Sequence, residues 1–229
     1  SLKRITIGKT KIFFHKNHDE IVRGYYLYLV KTLTQAAMNV HLDADIVLGN
    51  YKVRKSKYRQ FFRIELQIEH TLVKPGGRGT TGALMGCVPI LNQSDSRYLV
   101  RLQDIERLKQ ADAIIDYSQP NLINVCSSGF YSELASRMHY MAPLVFPLEA
   151  NFSSIVRDLN VITLFGNPDE SRRRALLDQL HKQGVDCQNI HGHFMDIQAI
   201  YRRTKILVNI RQTDHHDTLE ELRILPALL

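Results

Sequence analysis

The stretch VITLFGNPDESRRR at residues 161–174 contains a short apolar strand, a turn with glycine and proline, and an arginine cluster that opens a helix. The spacing of apolar residues predicts that this helix is amphipathic and reaches about Gln183. A second stretch, KILVNIRQTDHHDT at residues 205–218, repeats the order of strand, polar turn and helix start. Ligands of open α/β sheets bind beyond the carboxyl ends of the strands, and helix N-termini favour phosphate. The two stretches therefore predict one half of a nucleotide-binding α/β domain.

Outward from this region, strand-like and helix-like segments alternate along the chain, which is typical of an α/β fold with parallel sheets. Residues 141–147 are short and proline-bounded, so they are interpreted as a last strand plus a linker. We predict two Rossmann-like domains, an N-terminal one at residues 1–147 and a C-terminal one at residues 148–229. No strand follows the helix that ends at Leu229, so the second domain is expected to be incomplete there.

Composition and charge restrict the class of protein. With 229 residues, 44% of them hydrophobic, the chain can bury a full core. Lysine and arginine outnumber aspartate and glutamate by 30 to 23, which gives a formal net charge of +7. This balance favours anionic partners, such as nucleotides, phosphorylated sugars, acidic glycans or nucleic acid. The charge does not choose among these partners.

Cysteine usage and hydropathy predict a cytoplasmic protein. Cys87, Cys126 and Cys187 lie far apart without CxxC spacing, which indicates neither a disulfide framework nor a zinc site. No apolar run approaches the roughly 18 to 20 residues that span a bilayer, and the N-terminus has no secretory signal pattern. We therefore expect no transmembrane segment, while the basic charge leaves a peripheral membrane contact open.

Four motifs are informative when taken together. They are ADAIIDYSQPN at residues 111–121, LFGN at 164–167 with the arginines Arg172 and Arg173 after it, YRRTKILVNI at 201–210, and LEELRILPALL at 219–229. They resemble motifs of nucleotide-sugar glycosyltransferases with the GT-B fold, in a family 1/4-like group. In that group the first motif closes a late strand of the N-terminal acceptor domain, and the others belong to the C-terminal donor-binding domain. The resemblance implies an enzyme that moves a sugar from a nucleoside-diphosphate sugar to a hydroxyl of a glycan or glycoconjugate.

The resemblance also implies where the donor binds. The leaving diphosphate carries negative charge, which preorganised cations and helix N–H groups stabilise. The resemblance places Arg172 or Arg173, Lys205 and the helix start near Thr218 around the diphosphate. It places Glu220 or Glu221 toward the ribose or the donor-sugar hydroxyls. The alternative for the arginines is a solvated helix face, and for Glu221 it is an exposed pair with Arg223 within the helix. For Lys205, an ammonium group at the rim of the sheet is the alternative. The predicted binding residues of this set are Tyr117, Asn121, Arg172, Arg173, Lys205, Arg211, Thr218, Glu220 and Glu221.

A glycine-rich stretch, KPGGRGTTG at residues 74–82, is the second candidate binding site. Glycines let the backbone approach a ligand closely, and an arginine adds charge. The predicted binding residues here are Gly76, Gly77 and Arg78. The stretch matches neither GxGxxG nor GxxxxGK[ST], and a mobile surface loop is the alternative interpretation.

Glu69 and His70 are the predicted catalytic residues, because they end a predicted strand just before the glycine-rich stretch. An inverting transfer needs a carboxylate or an imidazole as general base toward the acceptor hydroxyl. Whether the reaction inverts or retains stays open. For His70, a structural role at a strand end is the alternative.

Metal and nucleic-acid binding are not expected. HGH at residues 191–193 and DHHD at 214–217 lack the spacing of a metal site, so we predict no metal and no cofactor besides the donor substrate. The basic residues at 52–59 occur without a nucleic-acid motif and are interpreted as a solvated face. A catalytically inactive GT-B-like module, which binds a glycan or a partner within a larger protein, is the alternative to the enzyme.

Overall fold

The structure is a computed structural model. It describes residues 2–15, 20–49, 51–53, 59–68, 71–75, 87–89, 98–102, 105–128, 131–143, 156–166, 168–190, 197–211 and 220–228. The chain divides into two compact units: Ser1–His18 with Val22–Ala142, and Pro143–Leu229 with Asp19–Ile21. The boundary predicted between residues 147 and 148 lies outside the described residues.

The first unit combines parallel strands with four described helices, none of which is long and apolar enough to cross a membrane. Its elements in chain order are β1 (Leu2–Ile7), β2 (Thr10–His15), α1 (Glu20–Asn39), β3 (Ala44–Leu48), β4 (Gln60–Gln67), β5 (Leu72–Pro75), β6 (Cys87–Pro89), β7 (Tyr98–Arg101), α2 (Ile105–Lys109), β8 (Ala113–Asp116), α3 (Gln119–Ser128), α4 (Ser132–Ala135) and β9 (Met138–Tyr140).

A six-stranded sheet in the order β1-β2-β3-β4-β8-β9 forms the centre of the first unit. Strands β1 and β2 make an antiparallel hairpin, and every other neighbouring pair is parallel. The mixed α/β class with mostly parallel strands, predicted from the alternating segments, is therefore confirmed. Because β2, β3, β4, β8 and β9 are parallel, their carboxyl ends all lie at one edge of the sheet. The segment predicted as the last strand plus a linker, residues 141–147, follows β9, which ends at Tyr140; residues 141–143 are not in a strand, and residues 144–147 lie outside the described residues.

Apolar side chains fix the helices on this sheet. All five residues of β3 are buried, as expected for a parallel strand that is covered on both faces. Three helices and the last two strands enclose one apolar cluster. Its buried members are Leu102, Ile105, Leu108, Ala111, Ile114, Val125, Tyr131, Leu134 and Met138.

A three-stranded antiparallel sheet in the order β5-β7-β6 belongs to the same unit. Here the structure corrects one boundary: the glycine-rich stretch was predicted to begin as a loop at Lys74, but β5 continues through Pro75. Lys74 lies opposite Leu99, and Pro75 lies opposite Tyr98 at the end of the strand. Proline is tolerated there because β5 is an edge strand, in which a missing N–H need not break the ladder.

The second unit follows the order of strand and helix that the C-terminal stretches predicted. Its elements are β10 (Leu159–Thr163), α5 (Ser171–Lys182), β11 (Cys187–Asn189), α6 (Ile197–Arg203), β12 (Thr204–Leu207), α7 (Glu221–Ile224) and a 3-10 helix (Leu225–Leu228). Helix α5 ends at Lys182, with Gln183 as its cap, close to the predicted end. The glycine that follows, Gly184, has a φ of 76°, which ends the helix in the left-handed region.

The second sheet has the order β11-β10-β12 with all strands parallel. The chain therefore leaves the central strand toward one side through α5 and then crosses to the other side through α6. Right-handed crossovers in opposite directions place their helices on opposite faces. Accordingly, Leu164 packs with Ile197 and Tyr201 of α6, whereas the next residue, Phe165, contacts Arg173 of α5. A reversal of this kind is a topological switch point, and this one lies between the carboxyl ends of β10 and β12.

We expect Gly49→Ala to destabilise the first unit. Gly49 follows β3 with a φ of 98°, and an added Cβ would lie 2.7 Å from a ring carbon of Tyr51. The left-handed backbone and the close contact together are expected to cost about 1–3 kcal/mol of the free energy of unfolding, measured by urea denaturation. Gly24→Ala is the matched control. Gly24 is exposed in α1, and an added Cβ would meet no atom of another residue within 4 Å, so the free energy of unfolding should rise by up to about 1 kcal/mol. Equal stability of Gly49→Ala and the unmodified protein would contradict the expectation.

Candidate functional site

The carboxyl edge of the second sheet is assembled from segments far apart in sequence. Strand β10 leads to Phe165, which is fully buried, and β12 leads toward Ile210. The first turn of α5 contributes Arg173, and Glu220 directly precedes α7. All four residues meet at one point, so the switch point is built around a buried arginine.

The Arg173 side chain is only 5% exposed, and three different groups surround its guanidinium. Its Cζ lies 4.4 Å from the centroid of the Phe165 ring. Its Nε donates to the carbonyl of Ile210 at 3.5 Å, and its Nη2 lies 3.7 Å from Oε1 of Glu220. A carboxylate, a carbonyl and an aromatic face thus compensate a charge that would be costly if buried alone.

Glu220 has an unusual backbone. Its φ is 56°, in the left-handed region that residues other than glycine rarely adopt. Its side chain is 8% exposed, and its carbonyl accepts the N–H of Ile224 at 3.2 Å. Such a conformation costs of order 1–3 kcal/mol and persists only where the surroundings enforce it. The ion pair with Arg173 and the start of α7 are two such constraints.

Helix α5 begins at the same edge, and one N–H of its first turn donates to a carboxylate of the chain itself. Glu170 is the N-cap, and its Oε2 accepts from the backbone N–H of Arg172 at 3.1 Å. The Arg172 side chain is exposed, and the Arg174 guanidinium pairs with Asp169 at the surface. The edge therefore combines one buried arginine with exposed cations and a helix N-terminus, a combination suited to an anionic ligand.

Asn189 was not predicted as a site residue, yet it fixes the chain beyond β10. Its Oδ1 accepts from the Thr163 hydroxyl at 2.8 Å and from the N–H of Phe165 at 2.9 Å, and its Nδ2 donates to the Phe165 carbonyl at 3.2 Å. The side chain thereby holds the aromatic ring on which Arg173 lies. No strand was predicted at residues 187–189, so the sequence carried no signal for this role.

The structure brings part of the predicted donor set together. Arg172 and Arg173 lie in the first turn of α5, Glu220 contacts Arg173, and Arg211 is exposed directly after Ile210.

Lys205 does not join this group. It is the second residue of β12, and its Nζ donates to Oδ1 of Asn160 at 2.7 Å. Asn160 is likewise the second residue of β10, so Lys205 lies near the amino ends of the parallel strands, away from the edge where Arg173 lies.

Several predicted residues lie outside the described part of the chain. Glu69 and His70 fall between β4 and β5, so the prediction of a general base there stays a prediction. The same holds for Gly76, Gly77 and Arg78 of the second candidate site, and for Thr218 at the predicted helix start after β12. Glu221, by contrast, lies within the described residues, as the first residue of α7.

Tyr117 and Asn121 lie at the carboxyl edge of the first sheet, where both are buried. Asn121 Nδ2 donates to Oδ1 of Asp116 at 3.0 Å, and its Oδ1 accepts from the N–H of Thr71 at 2.9 Å. The Asp116 carboxylate also accepts from the N–H of Ser118 at 2.9 Å. This network joins the end of β8 to the start of β5, so Asn121 holds two segments together in the interior. The side chain of Tyr117, 1% exposed, is likewise an interior group.

Polar groups are buried around this network. Within the described residues, the hydroxyls of Thr71 and Ser118 are buried and have no hydrogen-bond partner. Tyr25 donates to the carbonyl of Met141 at 2.7 Å. Burial, and after it the nearby Asp116 carboxylate, raises the pKa of Tyr25 well above its ordinary value, so its hydroxyl stays a neutral donor. Among the described residues at this edge, these polar side chains are buried.

An ion pair with a buried carboxylate and an aromatic stack also lie in the first unit. Glu65 of β4, 2% exposed, contacts Arg107 of α2 at 3.2 Å. The rings of His15 and Tyr51 stack with their centroids 5.2 Å apart. Burial, followed by the Glu65 carboxylate, raises the pKa of the Tyr51 hydroxyl. None of these four residues was predicted to be functional.

Comparison with known proteins identifies no relative: no family model matches the chain, and neither the curated proteins nor the solved structures include a significant match. Across the residues that the structure describes, no group of three or more histidines, cysteines, aspartates or glutamates could hold a metal ion. Chemically, the carboxyl edge of the second sheet offers guanidinium groups and helix N–H donors. These groups can bind an anion and stabilise negative charge that develops on it.

Arg173→Ala is expected to destabilise the protein strongly. It would leave the Glu220 carboxylate buried without its cation, which typically costs about 3–5 kcal/mol of the free energy of unfolding. Arg174→Ala removes the same charge from the same helix turn, but its pair with Asp169 is at the surface, so its urea midpoint should barely change. Similar midpoints for the two variants would show that the buried pair does not support the fold.

Asn121→Ala is expected to lower the free energy of unfolding by about 3 kcal/mol, because it leaves the Thr71 N–H without its acceptor and Asp116 without one donor. Ser127→Ala is the control on the same helix, where an exposed hydroxyl only returns to the carbonyl of Ile123. Urea denaturation of both variants measures the difference. A midpoint for Asn121→Ala that equals the control would contradict a structural role for the network.

Proposed function

We propose that the chain is a cytoplasmic glycosyltransferase that transfers a sugar from a nucleoside-diphosphate sugar to a hydroxyl of a glycan or glycoconjugate. In this proposal the second unit binds the donor, the first unit binds the acceptor, and the two units correspond to the domains of a GT-B enzyme. Peripheral contact with a membrane is compatible with the basic net charge of the chain.

The switch point between β10 and β12 carries the proposal. Open α/β sheets bind ligands where the strand order reverses, outside the carboxyl ends of the strands. At this point the chain places the N-terminus of α5, the exposed Arg172 and Arg211, and the buried Arg173. Three arginines and a helix N-terminus at one sheet edge favour a ligand with several negative charges, such as a diphosphate.

The chemistry of sugar transfer gives these cations a function. The bond between the anomeric carbon and the diphosphate oxygen breaks, and a bond from that carbon to the acceptor oxygen forms. Negative charge grows on the leaving diphosphate, and fixed guanidinium groups stabilise it more than they stabilise the bound donor. In the proposed reaction Arg172 contacts the diphosphate, and Glu69 or His70 accepts the proton of the acceptor hydroxyl.

A catalytically inactive module that binds a glycan or a partner is the second candidate. One feature favours it: the backbone N–H of Arg172 and the Arg173 guanidinium already contact carboxylates of the chain, from Glu170 and Glu220. Such a module would fold normally and would bind no nucleotide. Nucleotide binding therefore separates the two candidates.

Thermal unfolding with UDP-, GDP-, ADP-, CMP- and dTDP-linked sugars, and with the free nucleotides, tests the proposal. A ligand at 100 times its Kd stabilises the folded state by about 2.7 kcal/mol, so one nucleotide class should raise Tm by about 5 °C or more. Arg172→Ala should lose most of this shift. Arg202→Ala should keep it, because Arg202 is an exposed arginine in the last turn of α6, just before the amino end of β12.

Two results would count against the enzyme. No shift with any nucleotide sugar or nucleotide would favour the inactive module. A shift that both arginine variants lose equally would indicate nonspecific attraction by the net charge rather than a site at the carboxyl edge.

A further inference from the structure

We propose that Glu220 is an internal competitor for Arg173, so that an anionic ligand must displace the Glu220 carboxylate before it reaches the buried guanidinium. This inference rests on the proposed donor site and adds a conformational step to it. In the structure the Glu220 carboxylate lies beside the Arg173 guanidinium.

Burial makes displacement necessary. The Arg173 and Glu220 side chains are 5% and 8% exposed. The ring of Phe165 covers the guanidinium at 4.4 Å, and the carbonyl of Ile210 accepts from its Nε. Among the described residues, Glu220 places a carboxylate beside the guanidinium, and it directly precedes α7. A ligand oxygen can approach Arg173 as closely as Glu220 does only after that carboxylate moves away.

The geometry of the pair makes displacement feasible. The contact between Nη2 of Arg173 and Oε1 of Glu220 measures 3.7 Å, which is longer than a hydrogen bond. Phosphate oxygens bind guanidinium groups at about 2.7–2.9 Å, often through two parallel hydrogen bonds. A diphosphate therefore offers Arg173 a shorter and more highly charged contact than this one. Exchange replaces one anion by another, so the arginine is never left buried without a counter-charge.

The backbone of Glu220 favours its release. Its φ of 56° is costly for a residue with a side chain, by of order 1–3 kcal/mol. Once the carboxylate leaves Arg173, the residue can return to an ordinary conformation. Glu220 directly precedes α7, and its carbonyl accepts the N–H of Ile224, so its release would alter the start of that helix. Ligand binding at Arg173 is thereby coupled to α7.

Titration calorimetry with inorganic pyrophosphate tests the competition. Glu220→Gln keeps the shape of the side chain and removes its charge, so we expect it to bind pyrophosphate at least about tenfold more tightly than the unmodified protein. Glu133→Gln is the matched control. It removes the same charge from an exposed pair with Arg137 in the first unit, and its affinity should equal that of the unmodified protein.

Glu220→Asp is a second variant in case Glu220→Gln does not fold. It keeps the charge but withdraws the carboxylate by one methylene group from Arg173, and it should also bind pyrophosphate more tightly than the unmodified protein. Circular dichroism and the urea midpoint establish which variants are folded.

Tighter binding by the folded Glu220 variants, with Glu133→Gln unchanged, would support the competition. Equal or weaker binding by the Glu220 variants would overturn it, as would equal gains in Glu220→Gln and Glu133→Gln, or no binding by any protein. The nucleotide-sugar experiment separates the two proposals. If a nucleotide raises Tm of the unmodified protein but the Glu220 variants bind pyrophosphate no more tightly, the donor site is supported and the competition is contradicted. If the Glu220 variants bind pyrophosphate more tightly but no nucleotide raises Tm, the competition is supported and the glycosyltransferase is contradicted.

Discussion

A charge that is removed from water must meet an opposite charge or strong hydrogen-bonding groups within a few ångströms, and this constraint organises the second unit. The Arg173 guanidinium meets it through segments that follow β10, follow β12 and precede α7. Local sequence would not hold these segments together, since they are separated by whole helices and strands. The buried charge makes their meeting point specific, because any other arrangement would leave it without partners.

The two sheets use their carboxyl edges differently, although both are built mainly from parallel strands. In the first unit the polar groups that follow β8 turn inward, and the Asp116 carboxylate accepts from the N–H of Ser118 and from the Asn121 amide. In the second unit the strand order reverses, which separates the chain beyond β10 from the chain beyond β12. Exposed Arg172 and Arg211 remain at that edge. Among the described residues, the exposed arginines therefore lie at the edge where the strand order reverses.

The sequence predicted features that depend on near neighbours and missed those that depend on distant ones. The apolar run of β10, the turn after it and the apolar spacing of α5 are local patterns, and the structure has both elements where they were predicted. Lys205 was expected at the diphosphate, but a residue early in a parallel strand lies far from the carboxyl edge, and the strand boundary is not visible in an apolar run. Asn189 was missed because its contacts join it to Thr163 and Phe165 across the sheet, a pairing that only the register of β10 and β11 determines.

The arginines at positions 172 and 173 could not be distinguished from the sequence, and the helix explains why they differ. Successive residues of an α-helix are rotated by about 100°, so adjacent side chains cannot face the same environment. Arg173 points into the unit and Arg172 points out. An exposed guanidinium can attract and contact an anion at once, whereas a buried one is preorganised but reached only after a rearrangement. A site with one of each can capture a charged ligand first and then fix it, and the second step is the one that Glu220 controls.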